Sequence, residues 1–243
     1  MRLNQFLAYH TGMSRRDADE SIKKGLTEVN GDIGELFNQI SPADTVRIYK
    51  NGEWKTIGQN TVHKTILMYK PIFTITSRKD VIGRKTIYDI LPKSYSSLKP
   101  AGRLDYMSEG ILVLSNNGDL IYKLSHPKNE SEKIYLVGLK YILKSSDIKE
   151  ISHGLVIDGY KLNPVQVELF KEPNDNKGKN EFEYLSLQSN FFWYSFTLTE
   201  GRNNEIRNIC ENYGQKVLRL IRVQQGQFKL TKELFEKKLI EVN

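Results

Sequence analysis

Apolar positions in the first fifty residues follow the spacing of two short helices and then of short strands. Residues 4–10 predict a first helix, and Ser14 with Asp17 three residues later predicts the capping box of a second. Gly25 can end that helix in the left-handed conformation. The segments "TEVNGDI" and "DTVRIYK" predict short strands, the first of them turning at Asn-Gly. We therefore expect a small helical and β module at this end of the chain.

Beyond residue 62 the apolar positions form runs that are typical of strands. Helical patterns fall between some of them, so we predict an α+β domain with a mixed sheet that is mostly antiparallel. Segment 50–61 is polar with two glycines, which indicates a linker, and segment 171–183 indicates an exposed loop. The expected division is a module with its linker at 1–60 and a larger domain at 61–243. The strand-like runs are "TILMYKPIFTITS", "GILVLSN", "KIYLVGLKY", "LSLQSNFFWYSFTLTE" and "KVLRLIRVQQGQFKL".

The balance of charge narrows the class of partner. The sequence has 36 Lys and Arg residues against 29 Asp and Glu, a net charge of +7 with a pI near 9.2. This surplus favours an anionic partner, and nucleic acid is the commonest large one. Residues 1–60 contain eight charged residues of each sign, so the surplus belongs to the larger domain.

The residue types that several kinds of site require are scarce. The single cysteine, Cys210, excludes an internal disulfide framework and a thiolate-rich metal site, and it favours a reducing compartment. The four histidines lack ligand spacing, and no phosphate-binding loop or dinucleotide fingerprint occurs. The N-terminal segment lacks the apolar core of a signal peptide, and no run is apolar enough to span a bilayer. We expect a cytoplasmic monomer without a metal or a small-molecule cofactor.

Four cations crowd the second predicted helix. Arg15 and Arg16 lie in its first turn, where the positive end of the helix dipole repels them, and Lys23 and Lys24 lie at its end. A phosphate backbone would favour the two arginines at this position, because it would also meet the free N–H groups of the helix. The alternative is a solvated basic face. This segment alone leaves both interpretations open, and RNA binding by these four residues is the hypothesis that the rest of the chain must support.

Three residues of the larger domain are candidates for chemistry. Asp105 lies in "GRLDYMSEG", just before an apolar run that must be buried, and Tyr135 shares a strand face with Lys133. Arg207 lies in the first turn of a predicted helix, off its apolar stripe, where an anion is favoured. Each also has an ordinary structural interpretation, as a turn residue, a packed aromatic and a surface cation. Spacing alone names no reaction.

Longer segments around these residues resemble a known family. "GRLDYMSEGILVLSNNGDL", then "KIYLV", then "EGRNNEIRNICENYGQKVLRLIRV" are similar to the three signature segments of the bacterial ribosomal-RNA pseudouridine synthases. The N-terminal "RLNQFLAYHTGMSRRDADESIKKGLTEVNG" resembles the alpha-L RNA-binding module that this family has in front of its catalytic domain. The resemblance extends from about residue 2 to about residue 230.

The resemblance implies a cofactor-free isomerase. Such an enzyme detaches uracil from its ribose, turns it, and rejoins it through carbon five, in ribosomal RNA and with a preference for the large subunit. The substrate would be a stem-loop or an assembly intermediate. The match implies that Asp105 is the nucleophile, that Tyr135 packs under the target base, and that Arg207 pairs with the aspartate. Two positions depart from the family: Glu205 stands where a glutamine is usual, and Asn208 replaces a frequent second arginine.

The chemistry would need these residue types. A guanidinium close to a buried aspartate opposes the rise in pKa that burial alone causes, so we expect Arg207 in contact with Asp105. The uridine must be flipped out of its helix, and Tyr135 can then stack on it and is a candidate for proton transfer. Arg103 and Lys133 are predicted to contact the RNA.

Two other classes of function are possible on the sequence. One is a non-catalytic RNA-binding or ribosome-assembly factor on the same fold, against which the presence of Asp105, Tyr135 and Arg207 together argues. The other is a glycosidase with Asp105 and Glu109 as its carboxylate pair. The basic surplus and the N-terminal module make a neutral sugar a poor fit to that reading.

Overall fold

The computed structural model describes residues 1–58, 63–157, 159–171 and 181–242. The predicted boundary at residue 60 lies outside these residues, as does most of the predicted loop at 171–183. The described part forms a four-stranded sheet, a nine-stranded sheet and a separate two-stranded sheet, with helices packed against the two larger ones.

The N-terminal region contains two helices and a four-stranded antiparallel sheet in the order β2-β1-β3-β4. The second helix begins as predicted: the Asp17 N–H donates to Ser14 Oγ (3.0 Å) and the Ser14 N–H donates to Asp17 Oδ2 (3.2 Å). Both helices pack on the sheet around Leu3, Leu7 and Ile22, which are buried. The elements are α1 (Leu3–Thr11), α2 (Arg15–Lys23), β1 (Thr27–Val29), β2 (Asp32–Ile33), β3 (Val46–Lys50) and β4 (Glu53–Ile57).

The predicted linker at 50–61 is wrong for its first half. Strands β3 and β4 form a hairpin in which Tyr49 lies opposite Trp54, and Asn51 and Gly52 make its turn, both with positive φ. The segment is polar because β4 is an edge strand whose side chains are mostly exposed or half-buried. Its Asn-Gly pair was the sequence signal for a hairpin.

The larger sheet follows the order β11-β12-β8-β13-β7-β5-β15, with β14 added to β13 and β6 to β7. Among these described strands only β7 and β13 pair in parallel, so the predicted mixed, mostly antiparallel sheet is confirmed. Strands β9 and β10 form a separate hairpin. The strands are β5 (Thr65–Lys70), β6 (Lys99–Pro100), β7 (Glu109–Ser115), β8 (Lys133–Leu139), β9 (Val156–Ile157), β10 (Tyr160–Lys161), β11 (Gln166–Lys171), β12 (Phe192–Leu198), β13 (Val217–Gln225), β14 (Phe228–Lys229) and β15 (Leu239–Val242).

Four further helices lie around this sheet. Helix α5 presents Ile206, Ile209 and Cys210 to the core beside β8 and β12, as its apolar stripe predicts, and Gly214 follows it with φ +67°. The predicted strand run at 65–77 ends early because Pro71 follows β5, and residues 185–191 precede β12 rather than belong to it. The helices are α3 (Gly118–Ser125), α4 (Ser145–Ile151), α5 (Glu205–Asn212) and α6 (Lys232–Lys237).

Central strand β7 fixes the region around Asp105. All of its residues are buried, and successive side chains enter cores on opposite faces: Ile111 and Val113 on one, Leu112 and Leu114 on the other. Gly110 has φ +114°, and a Cβ at this position would lie 2.2 Å from the carbonyl oxygen of Arg222. Only glycine permits this approach of β7 to β13. The crossing brings Arg222 to the turn that contains Asp105.

Candidate active site

A cavity of about 190 Å³ lies where β8, β12 and β13 meet the turn around Asp105 and the segment before α5. It is smaller than the roughly 300 to 1,000 Å³ of drug-sized ligand pockets, a size suited to one small ring. Asp105, Tyr135, Lys133 and Arg103 all line it, so the structure brings together four of the residues singled out in the sequence. The remaining lining residues are Gly102, Leu104, Ser108, Ser125, Leu198, Glu200, Gly201, Arg202, Asn203, Asn204, Glu205, Ile206, Leu220 and Arg222.

Asp105 lies in a turn that is held by hydrogen bonds on both sides. The Ser108 N–H donates to its carbonyl oxygen (3.0 Å), and the neighbouring Leu104 exchanges two hydrogen bonds with Thr76 Oγ1 (2.9 and 3.1 Å). Its carboxylate, by contrast, forms no hydrogen bond or ion pair with any described residue. The backbone therefore fixes a partly buried carboxylate that remains available to a substrate.

Positive charge surrounds this carboxylate. Lys70 is fully buried at the end of β5, and its Nζ donates to the carbonyl oxygens of Pro71 (2.9 Å) and Thr74 (2.7 Å). Burial lowers the pKa of Lys70 to about 8, and the negative charge of Asp105 opposes that shift. Burial likewise lowers the pKa of Arg207, again opposed by Asp105. Both cations therefore lie within electrostatic range of the Asp105 carboxylate.

The predicted contact between Asp105 and Arg207 is not formed. Arg207 is half-buried, and its guanidinium donates to the carbonyl oxygens of Met107 (3.0 Å) and Val217 (3.2 Å). These bonds tie the turn after Asp105 to the start of β13. Arg207 therefore lies near the carboxylate and holds the segment that positions it, without an ion pair between the two side chains.

Tyr135 and Lys133 lie on the same face of β8, as the period of two predicts. Tyr135 pairs in register with Phe196 of β12 and Arg222 of β13, and its ring contacts the apolar cores at both sides. Lys133 is only 7% exposed, and its Nζ donates to the carbonyl oxygen of Ser131 (2.9 Å). Burial lowers the pKa of Lys133, as does Arg222, while Glu205 opposes the shift. Lys133 thus belongs to the cavity wall and not to an outer basic surface.

Glu205 is a buried carboxyl group in the same wall. It is 5% exposed at the first turn of α5, and its Oε2 accepts the Arg202 N–H (2.7 Å), while Oε1 has no hydrogen-bond partner among the described residues. Burial raises the pKa of Glu205 to about 7, against the opposing effects of Arg202 and Lys133. In the sequence this residue stood out only as a departure from the family.

Arg222 was missed by the sequence analysis. It is 1% exposed, its Nε donates to the Ile111 carbonyl oxygen (2.9 Å) and its Nη1 to that of Arg103 (3.3 Å). Its Nη2 has no partner in the described chain. The sequence did contain a signal for Arg222 and Lys70, because each is a cation within an apolar strand run. A cation in a buried strand needs a hydrogen-bonding or charged partner, so its position there indicates a site.

Glu109 does not form a carboxylate pair with Asp105. It is buried in β7, where its Oε1 accepts the Arg219 Nε–H (2.6 Å) and its Oε2 accepts the Tyr69 hydroxyl. Burial raises the pKa of Tyr69, and the charge of Glu109 raises it further. Glu109 is absent from the cavity wall and its oxygens are engaged, so the glycosidase hypothesis loses its second carboxylate.

A groove of about 480 Å³ continues from the cavity and shares Arg103 and Asp105 with it. Its cations are Lys79, Arg84, Arg103 and Arg207. Arg84 is held by two hydrogen bonds to Asp80 (2.9 and 3.1 Å). Arg103 is exposed. The groove therefore offers a positive path to the buried carboxylate.

The four cations of α2 and its end lie apart from the cavity. All are exposed, and Lys24 forms a surface ion pair with Glu20 (3.7 Å). The module contacts the large sheet through Lys99, whose Nζ donates to the carbonyl oxygens of Met13 (2.8 Å) and Ala8 (3.3 Å). Burial lowers the pKa of Lys99, and the nearby charges of Arg78 and Arg15 lower it further. Arg15 is thus near the junction with the large sheet.

The described residues lack two further kinds of feature. They contain no group of three or more His, Cys, Asp or Glu side chains that could hold a metal ion. Within the same residues, no helix has the length and apolar character needed to cross a bilayer.

Comparison with known proteins agrees with this geometry. The family model described as RNA pseudouridylate synthase matches residues 64–212. An uncharacterized RNA pseudouridine synthase of Rickettsia felis is 37% identical over 223 residues, covering 88% of this chain and 85% of that protein. The ribosomal large subunit pseudouridine synthase B of Yersinia pestis is 33% identical over 239 residues, covering 96% of this chain and 70% of that protein.

A solved structure described as a pseudouridylate synthase has the same fold. It superposes with a TM-score of 0.65 over 100% of this chain and 96% of that chain, at 23% identity. The family match, the similarity along nearly the whole chain and the shared fold agree: the chain belongs to the RNA pseudouridine synthase family.

Proposed function

We propose that this enzyme converts uridine to pseudouridine in ribosomal RNA of the large subunit, with Asp105 as its nucleophile. The observation that supports the role of Asp105 is its carboxylate, which is fixed by the backbone, free of any partner among the described residues, and placed in a cavity of about 190 Å³ beside Tyr135. The choice of ribosomal RNA is supported by the Yersinia pestis relative, which is named for the large subunit.

The reaction exchanges one bond for another. The bond between uracil N1 and ribose C1′ breaks, the detached base turns, and a bond forms between C5 and C1′, while the proton on C5 leaves and N1 gains one. Asp105 would form the transient covalent bond, either to the ribose or to the ring, and would leave when the new bond is complete. Lys70 and Arg207 lie within electrostatic range of its carboxylate.

The cavity can take one base but not a duplex, so the target uridine must leave its helix. Tyr135 would then stack on it, an interaction that contributes roughly 1 to 3 kcal/mol per base in other complexes. Arg103 lines both the cavity and the basic groove. It would therefore contact the RNA backbone next to the flipped nucleotide.

The rest of the chain would hold the RNA. We propose that residues 1–60 are an alpha-L type RNA-binding module and that residues 61–243 are the catalytic domain. Arg15, Arg16, Lys23 and Lys24 are exposed on the module and would contact phosphates. We propose further that the enzyme acts as a monomer, and a ribosomal substrate would place it in the cytoplasm.

A non-catalytic RNA-binding factor is the second candidate. Such a factor would have no use for the cavity. A fixed carboxylate without a hydrogen-bond partner lowers the stability of the fold, but it is what a nucleophile requires. The variant Asp105→Asn distinguishes the two candidate functions, because it removes the nucleophile and leaves the cations of the basic groove in place.

The test is a map of pseudouridines in ribosomal RNA from cells with the gene, without it, and with Asp105→Asn in its place. We expect one or a few sites to disappear in the deletion and in the variant alike. Purified protein should restore them on RNA from the deleted cells, whereas Asp105→Asn should bind that RNA and restore nothing. Unchanged maps in the deletion, or modification by Asp105→Asn near the wild-type rate, would refute the proposal.

A further inference from the structure

Seven buried side-chain atoms lack a hydrogen bond in the described chain, and three of the seven belong to the wall of one cavity. The three are Ser108 Oγ, Glu205 Oε1 and Arg222 Nη2. Their side chains are 1%, 5% and 1% exposed in that order. Folded proteins pair the large majority of such atoms. Three in one small cavity indicate a ligand with its own donors and acceptors.

Their chemistry defines the ligand edge. Glu205 supplies an acceptor, Arg222 an N–H donor, and Lys133 an ammonium that donates only to Ser131 among the described residues. The ligand must therefore present an N–H together with acceptor oxygens. Uracil has such an edge, since its N3–H lies between the O2 and O4 carbonyls. Cytosine does not, because its N3 is a lone pair that a carboxylate would repel.

We propose that Glu205 binds the N3–H of the flipped uracil, and that Lys133 and Arg222 donate to its two carbonyl oxygens. This inference rests on the proposed function and names the residues that select uracil in the cavity. Glu205 is well placed for it, because the Arg202 N–H holds Oε2 and leaves Oε1 without a protein partner.

The arrangement also suits the rotation of the base. Joining the ribose to C5 requires a half-turn of uracil about the line from N3 to C6, which exchanges N1 with C5 and O2 with O4. The N3–H stays in place. After the half-turn O4 occupies the former position of O2, and O2 occupies the former position of O4. Glu205 as acceptor, with Lys133 and Arg222 as donors, can therefore bind the base both before and after the half-turn. Asp105 would lie at the opposite edge of the base.

The charge state of Glu205 gives the proposal a measurable signal. The charged groups that line the cavity with it are Glu200 and Arg202 from its own loop, Lys133 from β8, Arg222 from β13, and Arg103 and Asp105 from the turn. Because burial raises its pKa to about 7, Glu205 is largely neutral at pH 6 and ionised at pH 8. The ionised form is the better acceptor for N3–H.

The first experiment measures pH profiles of tritium release from a synthetic stem-loop that spans the mapped uridine. Wild-type kcat/KM should gain a step of about tenfold between pH 6 and pH 8 from one ionisation near 7. Glu205→Gln keeps an acceptor but cannot ionise, so this step should vanish. Glu211→Gln, on the exposed side of the same helix, should keep it. An identical profile for wild type and Glu205→Gln would overturn the proposal.

The second experiment removes the donor from the ligand. The same stem-loop with N3-methyluridine at the target should lose about 10- to 100-fold in affinity for the wild type, the range for one hydrogen bond to a charged group. Glu205→Ala lacks the acceptor and has room for the methyl group, so it should lose much less. Equal losses in both proteins would refute the role of Glu205.

The two failures are distinguishable. If wild-type protein makes no pseudouridine at all, the proposed function fails. If it makes pseudouridine at the mapped site, while changes at Glu205 leave the pH profile and the response to N3-methylation unaltered, only the present inference fails.

Discussion

At the scale of single residues, the relation between Asp105 and Arg207 is looser than a buried ion pair. Removing one partner of such a pair typically costs about 3 to 5 kcal/mol and couples strongly to removal of the other. Here Arg207 instead donates to two backbone carbonyls. We therefore expect Arg207→Met to lower the free energy of unfolding by roughly 1 to 3 kcal/mol and to impair turnover, through a looser Asp105 turn.

A double-mutant cycle measures this difference. Asp105→Asn with Arg207→Met should lose nearly the sum of the two single losses, with a coupling of about 0.5 kcal/mol or less in urea denaturation. Coupling of several kcal/mol would show that the side chains do meet in solution. Arg78→Met serves as a control, because Arg78 also donates to backbone carbonyls but not at this turn.

Glu205 affects stability in a direction set by its pKa. Folding raises that pKa to about 7 from the 4.5 of an exposed glutamate, so the folded state holds the proton more tightly. The cost of burying the charge is absent below pH 4.5 and complete above pH 7. Glu205→Gln should therefore raise the Tm at pH 8 and leave it nearly unchanged at pH 5. A gain in Tm of equal size at both pH values would contradict the assignment, and Glu211→Gln should change neither.

Membership of a quoted motif was not enough to predict a site residue, since Arg222 lies in the same segment as Arg207 and was missed. Asp105 and Tyr135 were found because their neighbours in the chain resemble a family, and the cavity contains both. Lys70 and Arg222 could not be placed, because their relation to Asp105 depends on β7 lying between β5 and β13. Nor could the burial of Glu205, which depends on how α5 meets β8.

At the scale of elements, the close approach of the paired strands β7 and β13 fixes the position of Arg222 in the cavity wall. Gly110→Ala would place a Cβ 2.2 Å from the Arg222 carbonyl oxygen and 2.6 Å from its nitrogen, at φ +114°. We expect a loss of at least about 2 kcal/mol in the free energy of unfolding, with loss of activity as Arg222 shifts. Urea denaturation and tritium release measure the two effects.

Gly52→Ala is the matched control for that change. Gly52 also has a positive φ, +86°, but no atom lies within 4 Å of the added Cβ. It should lose only the roughly 1 to 2 kcal/mol of a left-handed alanine and keep its activity. If Gly110→Ala were no worse than Gly52→Ala, the close approach would not constrain the site.

Periodicity predicted the elements unevenly. The buried runs that became β5, β7, β8, β12 and β13 were all found, because burial on both faces leaves long apolar stretches. Strand β4 was taken for a linker, because an edge strand with exposed faces has the composition of a loop. Strands of two residues, such as β9 and β10, are too short to give a pattern.

At the scale of the whole molecule, the sequence predicted the class of fold but not the order of its strands. An α+β chain with antiparallel neighbours follows from short strand runs without regular helical crossovers. The parallel pairing of β7 with β13 joins residues more than a hundred positions apart, and no local pattern specifies such a pair. That pairing also fixes the position of Arg222 in the cavity wall.

The module at the N-terminus gives the last prediction, which concerns RNA binding by the whole chain. Arg15 and Arg16 occupy the first turn of α2, where the helix dipole makes a positive charge unfavourable, and both side chains are exposed. Replacing both with glutamine should therefore leave the Tm unchanged or slightly higher. If the two guanidinium groups bind phosphates, the same change must weaken RNA binding and flatten its dependence on salt.

The size of that effect follows from the release of counterions. Each phosphate contact contributes about 0.7 to 0.9 to the slope of log K against log salt concentration, so loss of two contacts should reduce the slope by about 1.5. The control is Lys140→Gln with Lys149→Gln, which removes the same charge from two exposed positions. Lys140 follows the last residue of β8, at the other end of the strand from Lys133. This control should change the slope little. Titrations of ribosomal RNA fragments at several salt concentrations provide the measurement. Equal slopes for the arginine variant and wild type would mean that α2 does not face this RNA, and the basic groove beside Asp105 would then have to supply its binding.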